Sequence, residues 1–449
     1  MTSSFKDRRK ELEDITRILD SEKFEFLVVF GRRRVGKTAL ILKAIEQKKH
    51  VYFLSELIEN MPRFISTCAN VVPDITKLKP DFHTLLEYLK DKLDALVIDE
   101  FQYLVNEYPN LPSLLQSLID GQLQDTRLKL IIIGSSISMM NAHVLSSPSP
   151  LYGRKTAALK LGPVSFTELP AFFPRSSFAE LLEIYAFSGG IPYYMNMIDA
   201  SKGFWSWLDE ELHRPTCLLD QEIDFLMRYE FTKPDTYMRI MAAIATGCTR
   251  MNDIATRLNV KTTDLTVYIT NLLSVDFITR EIPITDSPRS RNGRYYVKDR
   301  FMAFWYRCML PNKSALEQRI LGVPTIKPRF DTFLGGVFED VVRQYLILTR
   351  PFPFTSIGRW WWKDNEIDLI AHDEPSATMT CIECEWSDNV RPVDLLEPLV
   401  EKMGLVPLKR GTERIYLFAR SFTSTVTSFS GHDVRCVDAA EMEKVIHTR

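Results

Sequence analysis

Short apolar runs rich in β-branched and aromatic residues recur through the first third of the chain, at 24–30, 51–54, 95–98 and 128–133. Each has the length and composition of a buried parallel strand. Residues 10–19 place Leu12, Ile15, Ile18 and Leu19 at helical spacing, and 37–46 predicts a second helix. The segments between the apolar runs supply crossover helices. Strands alternating with helices predict a doubly wound α/β domain, ending near Leu161-Gly162-Pro163. From 178 to about 230 the pattern is helical, broken at Gly189-Gly190-Ile191-Pro192. Residues 237–245, 251–258 and 264–273 then read as three helices. The alternating run 277–282, the polar stretch 286–293 and the run 294–297 read as a hairpin. Three helices followed by a two-stranded hairpin is the winged helix-turn-helix order. A proline-containing linker is expected over 311–328 and a helix from near Phe333. Strand-like runs at 366–371, 379–386 and 414–419 predict a second α/β or α+β module.

Composition bounds what these modules do. The chain has 449 residues, 45% of them hydrophobic, enough for about three domains at roughly 100–200 residues each. A net charge of −2 confines any nucleic-acid site to a local basic patch. No apolar run reaches the roughly 18 residues a membrane helix needs. The polar start Met1-Thr2-Ser3-Ser4-Phe5-Lys6-Asp7 lacks the apolar region of a secretory signal. Seven cysteines are an odd number spread thinly, as for reduced thiols rather than a disulfide framework. A cytoplasmic, membrane-free protein is therefore expected. Cys381 and Cys384 form a C-x-x-C without a second pair, which reads as two packed thiols rather than zinc ligands.

The first apolar strand runs into Gly31-Arg32-Arg33-Arg34-Val35-Gly36-Lys37-Thr38 and then a helix. In a loop of this kind the glycines permit backbone angles closed to other residues. The loop N–H groups and the helix N-terminus face phosphate oxygens. Lys37 would reach the terminal phosphates of ATP and Thr38 would ligate Mg²⁺. Leu96-Val97-Ile98-Asp99-Glu100 fits the partner strand. Asp99 would hold Mg²⁺ through water, and Glu100 would polarise the attacking water. The strand Leu130–Ile133 ends in Gly134-Ser135-Ser136, at the edge where such sheets bind ligands. Ser135 or Ser136 is thus a candidate for the water or the terminal phosphate, and equally a helix cap. Arg154 is a candidate arginine finger or an ordinary surface ion-pair residue.

The strings GRRRVGKT, VIDEFQYL, IIIGSS, PLYGRK and SGGIPYYM together resemble the archaeal-type ATPase family, within the AAA+ and STAND-related P-loop ATPases. The resemblance covers residues 5 to about 230. It implies a P-loop ATPase core over 1–165 and a helical lid over 166–232 whose Gly-Gly-Ile-Pro corner sits near the nucleotide. It also supports the roles given above to Lys37, Thr38, Asp99, Glu100, Ser135 and Arg154.

In the winged helix-turn-helix, residues 233–310, the second helix offers Thr262, Thr263, Asp264, Thr266 and Asn271 but no basic residue. The basic residues lie in the hairpin, so Arg289, Arg291 and Arg294 are the candidates for contacting DNA. The alternative is a wing that docks on a protein partner.

In the last module, 311–449, Glu383 and Glu385 share one face of a strand. Asp368 on a neighbouring strand can meet them, and Glu339 lies on a helix. Converging carboxylates suit Mg²⁺ or Mn²⁺. This arrangement resembles the PD-(D/E)xK nuclease fold, a restriction-endonuclease-like α/β domain, in the version that follows archaeal-type ATPases. The resemblance covers about 330–430 and implies metal-site roles for Glu339, Asp368 and Glu383. Its pattern expects a lysine where this chain has Glu385, and Lys402 is the nearest candidate to substitute. In a fold retained without cleavage, the carboxylates would instead be splayed or paired with arginines such as Arg343 or Arg359. Trp360, Trp361 and Trp362 read as core and rim packing.

The expected protein is an ATP-binding and hydrolysing switch coupled to a DNA-binding or nuclease-like module. The competing expectation is an ATP-gated regulator or scaffold with an inactive nuclease-like domain. Self-association is compatible with either.

Overall fold

The computed structural model describes residues 8–217, 219, 221–408 and 411–448; the N-terminal segment 1–7 discussed above lies outside them. The chain forms two compact units, one of residues 1–164 with 191–193, the other of 165–190 with 194–449. The division into 1–165, 166–232, 233–310 and 311–449 is finer than these two units. Among the described residues no helix is long and apolar enough to cross a membrane, and all seven cysteines are free thiols.

The first unit is built on five strands: β1 (Glu25–Phe30), β2 (His50–Leu54), β3 (Ala95–Asp99), β4 (Lys129–Gly134) and β5 (Ala157–Lys160). They pair in the order β2-β3-β4-β1-β5, and every pair is parallel. Successive side chains on a strand face opposite ways, and both faces of this sheet are covered. Phe26, Val28, Leu96, Ile98, Leu130 and Ile132 enter one core. Leu27, Val29, Ala95, Val97, Ile131 and Ile133 enter the other. Burial on two sides explains why these strands read as continuous apolar runs. The short β5, Ala157-Ala158-Leu159-Lys160, has no such run and was not legible in the sequence.

The second unit contains three helices, Asp235–Ala245, Met251–Leu258 and Thr262–Ser274, followed by the antiparallel ribbon β6 (Ile278–Glu281) and β7 (Arg294–Val297). A six-stranded mixed sheet follows, from β8 (Ser356–Trp362), β9 (Asn365–Asp373), β10 (Thr378–Glu385), β11 (Glu413–Ala419), β12 (Ser428–Phe429) and β13 (His432–Asp438). Its order is β12-β13-β11-β10-β9-β8. The expected linker 311–328 is largely helical instead. One helix runs over Lys313–Glu317, and a long one over Val323–Thr349 carries Pro328 inside it. Pro324 sits in the long helix's first turn, where no donor is lost. Burying Ile326, Phe330 and Phe333 outweighs the single hydrogen bond that Pro328 removes. The strand β8 escaped detection because a bulge between Gly358 and Trp360 interrupts its alternation.

The ribbon is fastened to this sheet. Arg294 Nη1 lies 2.7 Å from Glu366 Oε2, and its guanidinium carbon is 4.5 Å from the centre of the Trp361 ring. Trp361 Nε1 donates to the Asn292 carbonyl at 3.2 Å. Arg359 Nε is 3.2 Å from Glu281 Oε2, and the Ile284 N–H donates to the Arg359 carbonyl at 2.9 Å. Arg294→Ala should therefore lower stability to chemical denaturation by about 1–2 kcal/mol, from a lost ion pair and cation–π contact. A double-mutant cycle with Glu366→Gln should return about 0.5–1 kcal/mol of coupling; additive losses would contradict the pairing.

Candidate functional site

Parallel register brings three strand ends to one edge of the first sheet. Phe30 pairs with Gly134, and Ile98 with Ile132, so Gly31, Asp99-Glu100 and Ser135 emerge side by side. Gly31 has φ +146° and Gly36 φ +94°. A side chain on Gly31 would run into the Leu161 carbonyl. Arg34, between them, is held left-handed at φ +71°, a strain typical of ligand loops. The helix Lys37–Ile45 starts directly after Gly36, so its unpaired N–H groups open onto the loop. Lys37 is buried, and its ammonium donates to the carbonyls of Gly31 at 2.8 Å and Arg32 at 2.7 Å.

Sequence reading missed two supports of this loop. The buried Arg8 donates to the carbonyls of Val35 at 3.3 Å and Gly162 at 2.6 Å. The Arg34 guanidinium lies 3.8 Å from the centre of the Tyr193 ring. Pro192 stands beside Gly36, so the Ile191–Tyr193 corner belongs with the phosphate loop. Arg8 had no signal beyond one more basic residue near a terminus, whereas Tyr193 sits in a string already singled out.

Asp99 is the hub of the acidic side. Its Oδ2 accepts from Thr38 Oγ1 at 2.6 Å and from the Tyr52 hydroxyl at 2.8 Å. Its Oδ1 accepts from the Glu100 N–H at 2.7 Å. Burial, reinforced by Asp99, raises the Tyr52 phenol well above its ordinary range, so Tyr52 remains a donor. The Thr38 hydroxyl and Asp99 carboxylate are adjacent hard oxygen donors at a helix N-terminus, a set that suits the Mg²⁺ of a bound nucleotide.

Glu100 is left-handed at φ +51°. Ser135 Oγ lies 2.8 and 2.6 Å from its two carboxylate oxygens, and Gln102 donates to it. Arg33 Nη2 is 4.0 Å away. Ser136, not Ser135, caps the helix Ile137–Met140. Ser135 therefore orients Glu100. Arg154 is engaged elsewhere, its Nε 2.8 and 3.0 Å from the two oxygens of Asp120 and its Nη2 2.8 Å from Asp120 Oδ2.

In the second unit, Asp368 and Glu383 do meet, close enough for the Asp368 charge to raise the Glu383 carboxyl. Asp368 also accepts from the Cys384 N–H at 2.8 Å. Lys402 Nζ lies 3.0 Å from Glu383 Oε1, arriving from the helix Pro392–Met403. Glu385, on the exposed end of β10, accepts from Ser387 Oγ at 2.7 Å. Glu339 is paired with Arg359 Nη1 at 2.5 Å, and Arg343 is 3.2 Å from Asp340. Among the described residues no group of three such side chains is arranged to hold a metal ion. Of the basic hairpin candidates, Arg289 and Arg291 are exposed, while Arg294 is committed to Glu366.

Burial raises the carboxyls of Glu339, Asp368 and Glu383. Glu383, with Asp368 adding to the effect, is pushed up to about 9. The folded chain thus holds a proton that the unfolded chain releases at the ordinary 4.5. Such a group contributes stability below the unfolded value and loses it as pH rises through the folded one. Wild type should lose stability progressively between about pH 5 and pH 9 from this site. Glu383→Gln, uncharged throughout, should flatten the profile of denaturation midpoint against pH; a profile as steep as wild type would contradict the raised carboxyl.

With this geometry in place, comparisons with known proteins are informative. Residues 5–198 match a family described as an ATPase domain predominantly from Archaea. Residues 305–395 match a family described as archaeal and bacterial proteins of unknown function. An uncharacterized protein of Methanocaldococcus jannaschii is 45% identical over 389 residues, 86% of this chain and 88% of its own length. An uncharacterized ATP-binding protein of the same organism is 47% identical over 45 residues, 10% of this chain and 76% of its own. Among solved structures, the Walker-type ATPase of Pyrococcus abyssi superposes with a TM-score of 0.52 at 20% identity, covering 68% of this chain and 96% of that one, a likeness of fold. This chain is an ATPase, and it belongs to the archaeal family of that Methanocaldococcus jannaschii protein, with an ATPase domain followed by a domain shared with archaeal and bacterial proteins of unknown function.

Proposed function

We propose that the chain is an ATP-driven switch. The state of the phosphate loop sets the angle between the ATPase core and a helical lid, and so the availability of a winged helix and a nuclease-like module. The observation that carries this reading is the Ile191–Tyr193 corner. It belongs to the nucleotide-binding unit, yet it interrupts the chain of the other unit, between the helix Phe178–Ser188 and Tyr194. Anything that displaces Arg34 from the Tyr193 ring is felt at that junction.

The geometry supports the following residue roles. Lys37 and the loop amides hold the phosphates, and Thr38 with Asp99 holds Mg²⁺, which when bound offsets charge on the phosphate oxygens. Glu100, oriented by Ser135 and Gln102, accepts the proton of the attacking water.

For the C-terminal module we favour a nuclease-like fold that binds without cutting. Arg359 and Lys402 stand against Glu339 and Glu383, and a proton held by the raised Glu383 carboxyl already relieves the Asp368–Glu383 repulsion that a divalent cation would otherwise relieve. The rival reading, an Mg²⁺- or Mn²⁺-dependent nuclease, draws support from Lys402, which supplies the ammonium that Glu385 lacks.

Lys37→Ala should abolish ATP binding, and Glu100→Gln should bind ATP but hydrolyse it at least about 10²-fold more slowly. Tyr193→Ala should still bind ATP while losing any ATP-dependent change in hydrogen exchange over 178–195. An unchanged exchange response would remove the corner from the switch. Calorimetric titration of Mn²⁺ into Lys37→Ala, and into the same protein carrying Asp368→Ala, should give identical traces. Binding lost only with Asp368 would restore the nuclease reading.

A further inference from the structure

A cleft of about 740 Å³ lies where the ribbon, the start of the helix Met251–Leu258 and the β8–β9 turn meet. Its lining includes Arg250, Arg280, Arg291 and Lys363, together with Tyr295 and Trp362, and no acidic side chain. In a chain of net charge −2 that is a local concentration of positive charge. Two of the nearby acids are occupied, while Asp253 and Asp364, next to lining residues in the chain, are exposed and do not line the cleft. Glu366 holds Arg294, and Asp286 accepts from Ser290 Oγ at 2.6 Å and Asn292 Nδ2 at 3.0 Å. Arg280 is tied to the Ser290 carbonyl. Arg250, Arg291 and Lys363 are exposed, and among the described residues none of the three makes an ion pair.

The aromatic part of the cleft points to the ligand. Trp360 is 1% exposed and packs in the core, and Trp361, 5% exposed, lines the cleft but is held by Asn292 and Arg294, whereas Trp362 is 48% exposed. Lys363 Nζ sits 4.3 Å from the centre of its ring. A large exposed indole in a basic cleft has no packing role to explain it. It matches the pairing of stacking surface and cation by which proteins hold unpaired nucleotides. The volume suits one base with its sugar and phosphate, within the roughly 300–1,000 Å³ of ligand sites. A duplex fits less well. The helix Thr262–Ser274 carries no lysine or arginine with which to enter a major groove, and a base inside a stack presents no free face to an indole.

We propose that this cleft binds unpaired nucleic acid, seating one unstacked base against Trp362 and holding the adjoining phosphates with Arg250, Arg291 and Lys363. The proposal rests on the reading of the second unit as a nucleic-acid-binding module and names that module's ligand. Fluorescence anisotropy on the full chain tests it, with 15-nucleotide DNA and RNA single strands, the corresponding blunt DNA duplex and a DNA strand of the same length without bases. At least one single strand should bind about tenfold or more tightly than the duplex and the baseless strand, and the DNA and RNA arms identify its source. Trp362→Ala should weaken that binding roughly 5- to 100-fold, with Trp362→Phe restoring most of it. Arg291→Ala with Lys363→Ala should reduce the slope of log affinity against log salt by about 1.4 units. Thermal unfolding of each variant shows that the fold persists. Wild-type affinity in Trp362→Ala, or equal binding of the baseless strand, overturns the cleft while leaving nucleic-acid binding in place. Failure of wild type to bind any of the four probes overturns both readings.

Discussion

The nucleotide site depends on the in-register parallel pairing of β1, β4 and β3. Register fixes which residues leave the sheet together, and here the phosphate loop, Asp99-Glu100 and Ser135 leave at one edge. A slip of one residue would turn every side chain to the opposite face. It would separate Thr38 from Asp99, now 2.6 Å apart, and Ser135 from Glu100. The register is held because both faces of each strand are buried in separate cores, so no face can be exchanged for solvent. Burial of both faces on three strands thus sets the position of the Glu100 carboxylate.

Around that edge the loop is strained and braced. Arg34 and Glu100, both left-handed, are held by neighbours rather than by local preference. Arg34 has the Tyr193 ring and Glu100 has Ser135 and Gln102. Tyr193 itself sits at a junction in the chain, at the end of the Ile191–Tyr193 segment that groups with the first unit. A cation–π contact is worth roughly 0.5–2 kcal/mol, small enough to be broken by an arriving anion.

The second unit follows a different electrostatic logic. Its buried carboxylates are compensated internally, by Arg359 and by Lys402, and burial raises the carboxyls of Asp368 and Glu383. Uncompensated charge at this depth would cost several kcal/mol, so some partner is obligatory. The same unit spends Arg294 on fastening the ribbon to the sheet. Among the described residues, Arg250, Arg291 and Lys363 make no ion pair and line the cleft beside Trp362.

The sequence by itself determined the ATPase core. The glycine spacing of 31–38, the acidic end of β3 and the apolar runs of β1 to β4 each act through neighbours in the chain, so local pattern reports them. It likewise determined the order of three helices and a hairpin, the strand cores of β9 to β11, and the meeting of Asp368 with Glu383. Tertiary structure alone decided the partners. Nothing local distinguishes Arg8 from a surface arginine, and Tyr52 becomes a ligand of Asp99 only because β2 pairs with β3. The same holds for Arg294 bound to Glu366, 72 residues away, for Arg359 bound to Glu339, and for Trp362 left exposed beside two buried tryptophans. Chain pattern encodes which face a residue takes, whereas long-range packing chooses what stands opposite it. Partnership between distant charges therefore had to wait for the fold.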